Sequence, residues 1–324
     1  MPSRRRRHLV TAAAALGGLG LFAWAIRQAG YAEVVDGVGR VGWGLVPILA
    51  LAGLRFLVRA EAWRACMPRA SRLPRRRAFA AFLAGDALGN VTPFGLFASE
   101  PTKAYLIRDH LATREAVSSL ALDNLIYAAS VAAMLSVGAF VIVRGAPLPA
   151  GWVALAGVFI VALLAGALAI PRLLQGTWRT SQGARPAWRE RLSVLRESVR
   201  SLVSEPSTRL WRAAACDLAF HALAVVEVFV TLRWLLGEQS PTLVQAIGFE
   251  ALNRFVTVAL KFVPFRVGVD EASSGALAPL LAVQVTTGVT LAVVRKVRAL
   301  LWSAVGLALI AGRKVPAVPA TDRP

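Results

Sequence analysis

Residues 116–143 read AVSSLALDNLIYAASVAAMLSVGAFVIV, a run of 28 residues whose one charge is Asp123. A helix of about 20 apolar residues crosses the hydrocarbon of a bilayer, since each residue adds about 1.5 Å. In lipid, every backbone amide and carbonyl must be bonded inside the structure, which leaves only helices and closed barrels. The run lacks the alternation of a barrel strand, so it reads as a helix. Comparable runs fall near 9–26, 43–63, 151–171, 210–236 and 285–312. Two further segments, 78–108 and 241–282, are apolar but interrupted. The expected fold is all-α: one polytopic membrane domain over 1–324, with about six full spans and two broken or re-entrant helical hairpins.

The opening RRRRHLVTAAAALGGLGLFAWA reads as a first span with a basic anchor. A signal peptide cleaved at Ala23-Trp24-Ala25 is the alternative. Composition agrees with the membrane reading: 56% of residues are hydrophobic and the mean hydropathy is +0.59. The formal net charge of +19 would suggest nucleic acid in a soluble protein. Here no soluble domain remains to bind it. The arginines instead sit where cytoplasmic loops face anionic lipid. Cys66 and Cys216 have no metal-ligand spacing, and no cofactor is expected.

Loop charge sets the orientation. Residues 64–77 hold six arginines and no acid, and residues 172–209 hold eight arginines against Glu190, Glu197 and Glu205. Both loops are expected on the cytoplasmic side, with both termini, which places the protein in the cytoplasmic membrane. The charge-balanced 27–42 and the short 144–150 are expected outside as loops. Leu192, Leu195, Val199 and Leu202 recur at helical spacing, an amphipathic helix on the cytoplasmic face. Six spans return the chain to its starting side only if each interrupted segment leaves on the face it entered.

Those two segments share a pattern. TPFGLFASEP at 92–101 and VPFRVGVDEA at 263–272 each carry Pro-Phe and, after five intervening residues, Glu. Pro93 and Pro264 are 171 apart (264 − 93), and so are Glu100 and Glu271 (271 − 100). Each copy breaks an apolar segment and precedes a long helix, and loop charge gives the copies opposite orientation. The repeats span about 78–143 and 241–312. Broken helices in an inverted repeat mark transporters, because backbone freed at membrane depth must line a cavity or lie buried in protein. Pro93 and Pro264 end helices by removing a donor. Glu100 and Glu271 either gate a site or only cap the helices that follow.

The last span carries Arg295, Lys296 and Arg298 near its middle, too deep to reach the interface. They form either a cationic site for an anionic headgroup or structural pairs with Asp270 and Glu271. Glu250, Arg254, Thr257 and Lys261 make one polar stripe at i, i+4, i+7 and i+11. Asp123, Asn124 and Tyr127 are a milder stripe in the first half. Asp217 and His221, at i, i+4, read as an interior hydrogen-bonded pair rather than metal ligands, since no HExxH accompanies them.

LRFLVRAEAWRACM, NVTPFGLFASEPTKAYLI, KFVPFRVGVDEA and VVRKVRALLWSAVG together resemble the flippase-like family defined by the transmembrane region of lysylphosphatidylglycerol synthases. The resemblance covers about 10–312. It rests on a Pro–Gly–Glu block in each half and an Arg in the helix after it, which Glu100, Glu271 and Arg295 match. The chain departs at Ser99-Glu100 with Lys103, where the family has Gly-Glu then Arg. It departs again at Asp123-Asn124, where the family has Glu-Arg, and at VGVDEA. With twelve residues after the last span, the aminoacyl transferase domain of some members is expected to be missing. The resemblance implies a lipid translocator rather than an enzyme. Arg254, Arg295, Lys296 and Arg298 would meet the phosphate, while Glu100 and Glu271 would gate or hold those cations. Two alternatives stay open. One is a membrane-embedded lipid-modifying enzyme using Asp217, His221 and Glu227. The other is a scaffold for lipid-synthesis enzymes docking on 172–209.

Overall fold

The structure is a computed structural model that describes residues 23–92, 95–145, 208–260 and 263–312, with isolated positions at 158 and 161. Among the described residues all regular structure is helical. Most of the expected spans at 9–26 and 151–171, most of the 172–209 segment, Pro93 and Lys261 lie outside them. Among the described residues, three helical stretches are long and apolar enough to cross a bilayer: Tyr31–Cys66, Thr113–Arg144 and Thr208–Leu235.

In chain order the helices are α1 (Tyr31–Val41), α2 (Leu45–Cys66), α3 (Arg75–Val91), α4 (Leu96–Leu106), α5 (Thr113–Gly145), α6 (Thr208–Leu235), α7 (Leu243–Ala259), α8 (Val269–Leu277) and α9 (Val285–Ala311). Short 3-10 turns occupy Gly42–Gly44, Pro264–Arg266 and Ala278–Leu281. The expected outer loop at 27–42 is a correction. Most of it is α1, joined to α2 through the first 3-10 turn. Its balanced charges suggested a loop, yet Val34, Gly37 and Val41 fall on one buried face. Glu33, Asp36 and Arg40 stay exposed. This is an amphipathic helix, with its polar residues on one side for the same reason that charge accumulates in loops.

α2 and α6 pack along each other at the centre of the molecule. Ile48, Ala52, Arg55, Arg59, Ala62 and Cys66 form the inner stripe of α2. Ala213, Asp217, His221, Ala224, Val228, Thr231 and Leu235 form that of α6. Both follow the three-and-four spacing of a helix face. Their outer faces, including Leu54, Leu57, Trp211 and Leu218, are exposed. Charges inside and large hydrophobics outside are the arrangement a bilayer demands.

Around this pair the remaining helices cross over. α3 packs on α9, and α7 packs on α5. Small residues allow both approaches. A Cβ on Gly138 would lie 2.0 Å from the Ala251 Cβ, and one on Gly306 would lie 2.6 Å from the Leu83 carbonyl oxygen. Between lipid-embedded helices burial supplies little driving force, so close backbone approach and polar bonds hold the bundle. Trp63 Nε1 donates to Ser119 Oγ at 3.1 Å, tying α2 to α5. Trp302 Nε1 donates to the Leu49 carbonyl at 3.2 Å, tying α9 to α2.

Both interrupted segments are broken helices. α3 ends at Val91 and α4 begins at Leu96. Gly95 sits so close to Gly89 that a Cβ there would meet the Gly89 carbonyl oxygen at 2.1 Å. In the second segment α7 ends at Ala259, and Pro264 opens a 3-10 turn before α8. Phe265 and Arg266 have φ of 48° and 49°. L-residues rarely adopt this conformation, which costs on the order of 1–2 kcal/mol each. Lys296 offsets that strain: its Nζ donates to the carbonyls of Phe265 at 2.8 Å and Arg266 at 3.0 Å.

Candidate functional site

The inner stripes of α2, α5, α6, α7 and α9 bring their charged residues together in the bundle interior. Arg55 of α2 donates to Glu227 of α6 at 2.6 Å and lies 3.9 Å from Glu250 of α7. Arg254, one turn along α7, donates to Glu250 at 2.6 Å. Arg295 of α9 donates to the other Glu250 oxygen at 3.2 Å, and Arg298 pairs with Glu227. Four arginines thus share two carboxylates, a formal balance of +2. Arg55 and Arg254 also place their guanidinium carbons 4.7 and 5.0 Å from the Phe220 ring centre. Glu227 is 2% exposed and Glu250 1%.

A second group adjoins it with the opposite imbalance. Arg59 of α2 donates through Nη2 to Asp123 Oδ2 at 2.8 Å and through Nη1 to Asp123 Oδ1 at 3.2 Å. The same Nη1 also donates to Asp217 Oδ1 of α6. One arginine against two carboxylates leaves a formal −1. Tyr127 joins the groups: Arg59 lies over its ring at 4.3 Å, and its hydroxyl accepts from Arg254 at 3.0 Å. His221 stacks on Tyr127 with Nε2 3.1 Å from Ser130 Oγ.

The positions expected from sequence divide between this network and the two breaks. Arg254, Arg295, Arg298 and Asp123 belong to the network. Lys296 turns instead toward the second break, 3.1 Å from Glu271 and 3.4 Å from Asp270. The expected pairing of all three central cations with Asp270 and Glu271 therefore holds for Lys296 alone. Arg295 and Arg298 face other sides of α9 and find Glu250 and Glu227. Glu271 also accepts from the Gly268 amide at 2.8 Å, capping α8. Glu100 pairs with Lys103 at 2.9 Å within α4 rather than with the central cations. It sits in the second turn of that helix, past the capping positions. Asn124 is half-buried beside Asp123. Pro264 opens the second break. Asp217 and His221 bond to other helices rather than to each other, because their side chains point at α2 and α5. No group of three metal-capable side chains gathers among the described residues.

Residues 10–308 match the family model described as the lysylphosphatidylglycerol synthase transmembrane region. The chain belongs to that family. It is a multi-pass membrane protein of a family associated with membrane lipids, in their metabolism or transport. No curated protein and no solved structure matches the chain. The family region contains the whole charged network. Arg55 and Arg59, central to it, are not among the site residues expected from the sequence. Their signal was plain: two arginines at i, i+4 inside an apolar span, where an ionisable residue marks function by default.

The site is closed in this structure, with its carboxylates at or below 2% exposure. Two clefts lie elsewhere and are lined by apolar residues. One of about 290 Å³ lies against Ala80, Ala84, Leu106 and Leu309, and one of about 260 Å³ against Ile26, Tyr31, Val34 and Val293.

Proposed function

We propose that this protein moves a lipid with an anionic headgroup across the membrane, and that the headgroup is received by Arg55, Arg254, Arg295 and Arg298. The observation that carries this reading is their excess of two positive charges over Glu227 and Glu250. Like charges about 6 Å apart repel by roughly 3 kcal/mol at an effective dielectric near 20. A phosphate entering the group relieves that repulsion and takes charge-assisted hydrogen bonds from planar guanidinium groups, whose fork suits it better than an ammonium does. Acyl chains stay in the bilayer meanwhile.

The two broken segments support alternating access. Their shared 171-residue offset, and the packing of α3 on α9 and α7 on α5, fit two inverted repeats whose first helices exchange partners. On this reading the closed network is the occluded state, and movement between the repeats opens it to each leaflet. The enzyme alternative draws less support. Glu227, one of its acid–base groups, is held between Arg55 and Arg298 and would not be free to move protons to a substrate.

The test is transport in proteoliposomes holding fluorescent phosphatidylglycerol or phosphatidylethanolamine, followed by quenching of the outer leaflet. We expect protein-dependent movement of the anionic lipid, faster than of the zwitterionic one. Equal rates with empty vesicles, or recovery of a chemically altered lipid, would contradict the proposal.

A further inference from the structure

The function above uses the arginine-rich group and leaves its neighbour unexplained. Asp123 and Asp217 converge on a single guanidinium, Arg59, at 2% and 0% exposure. Both place an oxygen on the same nitrogen, Nη1, so the two carboxylates lie side by side. Among the described residues, Asp217 Oδ2 is buried with no hydrogen-bond partner, and so is His221 Nδ1, one helical turn further along α6. Two carboxylates this close in a dry interior do not both stay ionised opposite one cation, because the second negative charge has no counter-charge. A proton on the pair removes the imbalance, and Asp217 Oδ2 is the oxygen free to take it.

We propose that Asp123 and Asp217 hold one exchangeable proton, and that its uptake from one side and release to the other couple lipid movement to the transmembrane proton gradient. The coupling rests on the translocator reading; the proton site does not. The charged groups facing Asp217 are Arg59 of α2 and Asp123 of α5. Those facing Asp123 are Arg59 and, from α4, Lys103 and Glu100. Cys66 and Cys216 border the pair, and His221 faces Arg254, Glu250, Arg55 and Arg59. Further along α6, α7 and α9 present Arg254, Arg295 and Arg298 to Glu250 and Glu227. Among these carboxylates, the Asp123–Asp217 pair outnumbers its ion-paired cations, whereas Glu100 is matched by Lys103 and Glu227 and Glu250 by more than one arginine each. The route to the headgroup group is Tyr127, which touches Arg59 with its ring and Arg254 with its hydroxyl. When the pair is ionised, Arg59 is held by both aspartates. When it is protonated, one hold weakens, and the Arg59–Tyr127–Arg254 contact is free to shift.

The experiment has two arms on the full-length protein in bilayers. In the first, infrared difference spectroscopy follows carboxyl protonation against pH in the wild type, Asp217→Asn and Asp123→Asn. Both substitutions keep side-chain shape and leave one positive against one negative charge, so both variants fold. A titrating carboxyl present in the wild type and missing from both variants is expected. In the second, lipid distribution in proteoliposomes is measured under an imposed pH gradient with the membrane potential clamped. One pH unit is worth about 1.4 kcal/mol per proton, so one proton per lipid drives up to about a tenfold difference between leaflets. The wild type is expected to show that asymmetry and Asp217→Asn to equilibrate the leaflets. A carboxyl signal that survives in both variants overturns the proton site. Wild-type transport that ignores the gradient overturns the coupling. A carboxyl signal lost in the variants, with no lipid movement under any condition, keeps the proton site and rejects the translocator reading.

Discussion

Each carboxylate of the arginine-rich group has more than one cation, and this redundancy decides how single substitutions behave. Arg298→Gln leaves Glu227 with Arg55, and Arg295→Gln leaves Glu250 with Arg254. Neither strands a buried charge, so both variants should insert and purify with near wild-type melting temperature while losing transport about tenfold or more. Glu250→Gln is different. It removes the carboxylate of Arg254 and Arg295 together, and unpairing buried charge costs about 3–5 kcal/mol. A markedly lower melting temperature is expected for it, and a melt matching the wild type would show that the ion pairs do not hold the bundle. Arg59→Leu should be as damaging, since it leaves Asp123 and Asp217 facing each other without a cation. Asp217→Asn in the same chain removes one of the two facing carboxylates and should recover part of the loss. Much of this network was legible as charge within apolar runs, including Glu250 and Arg254 on one stripe. The partners were not. Arg55 and Glu227 are 172 positions apart, and only the docking of α2 on α6 brings them together.

The elements were legible where a residue forbids a helix from continuing. Proline and glycine at 93–95 and 264–268 announced two breaks, and helices stop short of both. What failed was α1, whose balanced charges resemble those of a loop although its buried positions keep helical spacing. The strained turn at Phe265 and Arg266 was also invisible, because the Lys296 ammonium that holds their carbonyls comes from another helix. Lys296→Met should therefore loosen the second break. Amide hydrogen exchange over 263–268 is expected to quicken while α2 and α6 stay protected, and uniform protection across the variant would count against Lys296 as the latch. At the close crossings, Gly138→Leu should overpack the α5–α7 contact at a cost of about 1–3 kcal/mol. An unchanged thermal melt would mean the helices can part there freely.

At the scale of the molecule, a central α2–α6 pair carries the charges and two broken-helix units surround it, each reaching across to the other. The 171-residue offset was visible in the chain because polar and helix-breaking residues tolerate little change of place in a membrane. The crossed packing was not visible, being a property of how the units dock. Loop charge predicts that Ala70 faces the cytoplasm and Glu238 the outside. In a cysteine-free background, an impermeant thiol reagent should label a cysteine at 238 and miss one at 70, and the reverse pattern would undo the orientation of the repeats. The central claim is that the excess of arginine over glutamate receives an anionic headgroup. It is tested most directly by native mass spectrometry of the purified protein with phosphatidylglycerol and phosphatidylethanolamine in competition, beside a doubly substituted Arg254→Gln, Arg298→Gln variant. Retention of the anionic lipid by the wild type, and loss of that preference in the folded variant, is the predicted result. Equal retention of both lipids by the wild type, or an undiminished anionic preference in the variant, would contradict the account.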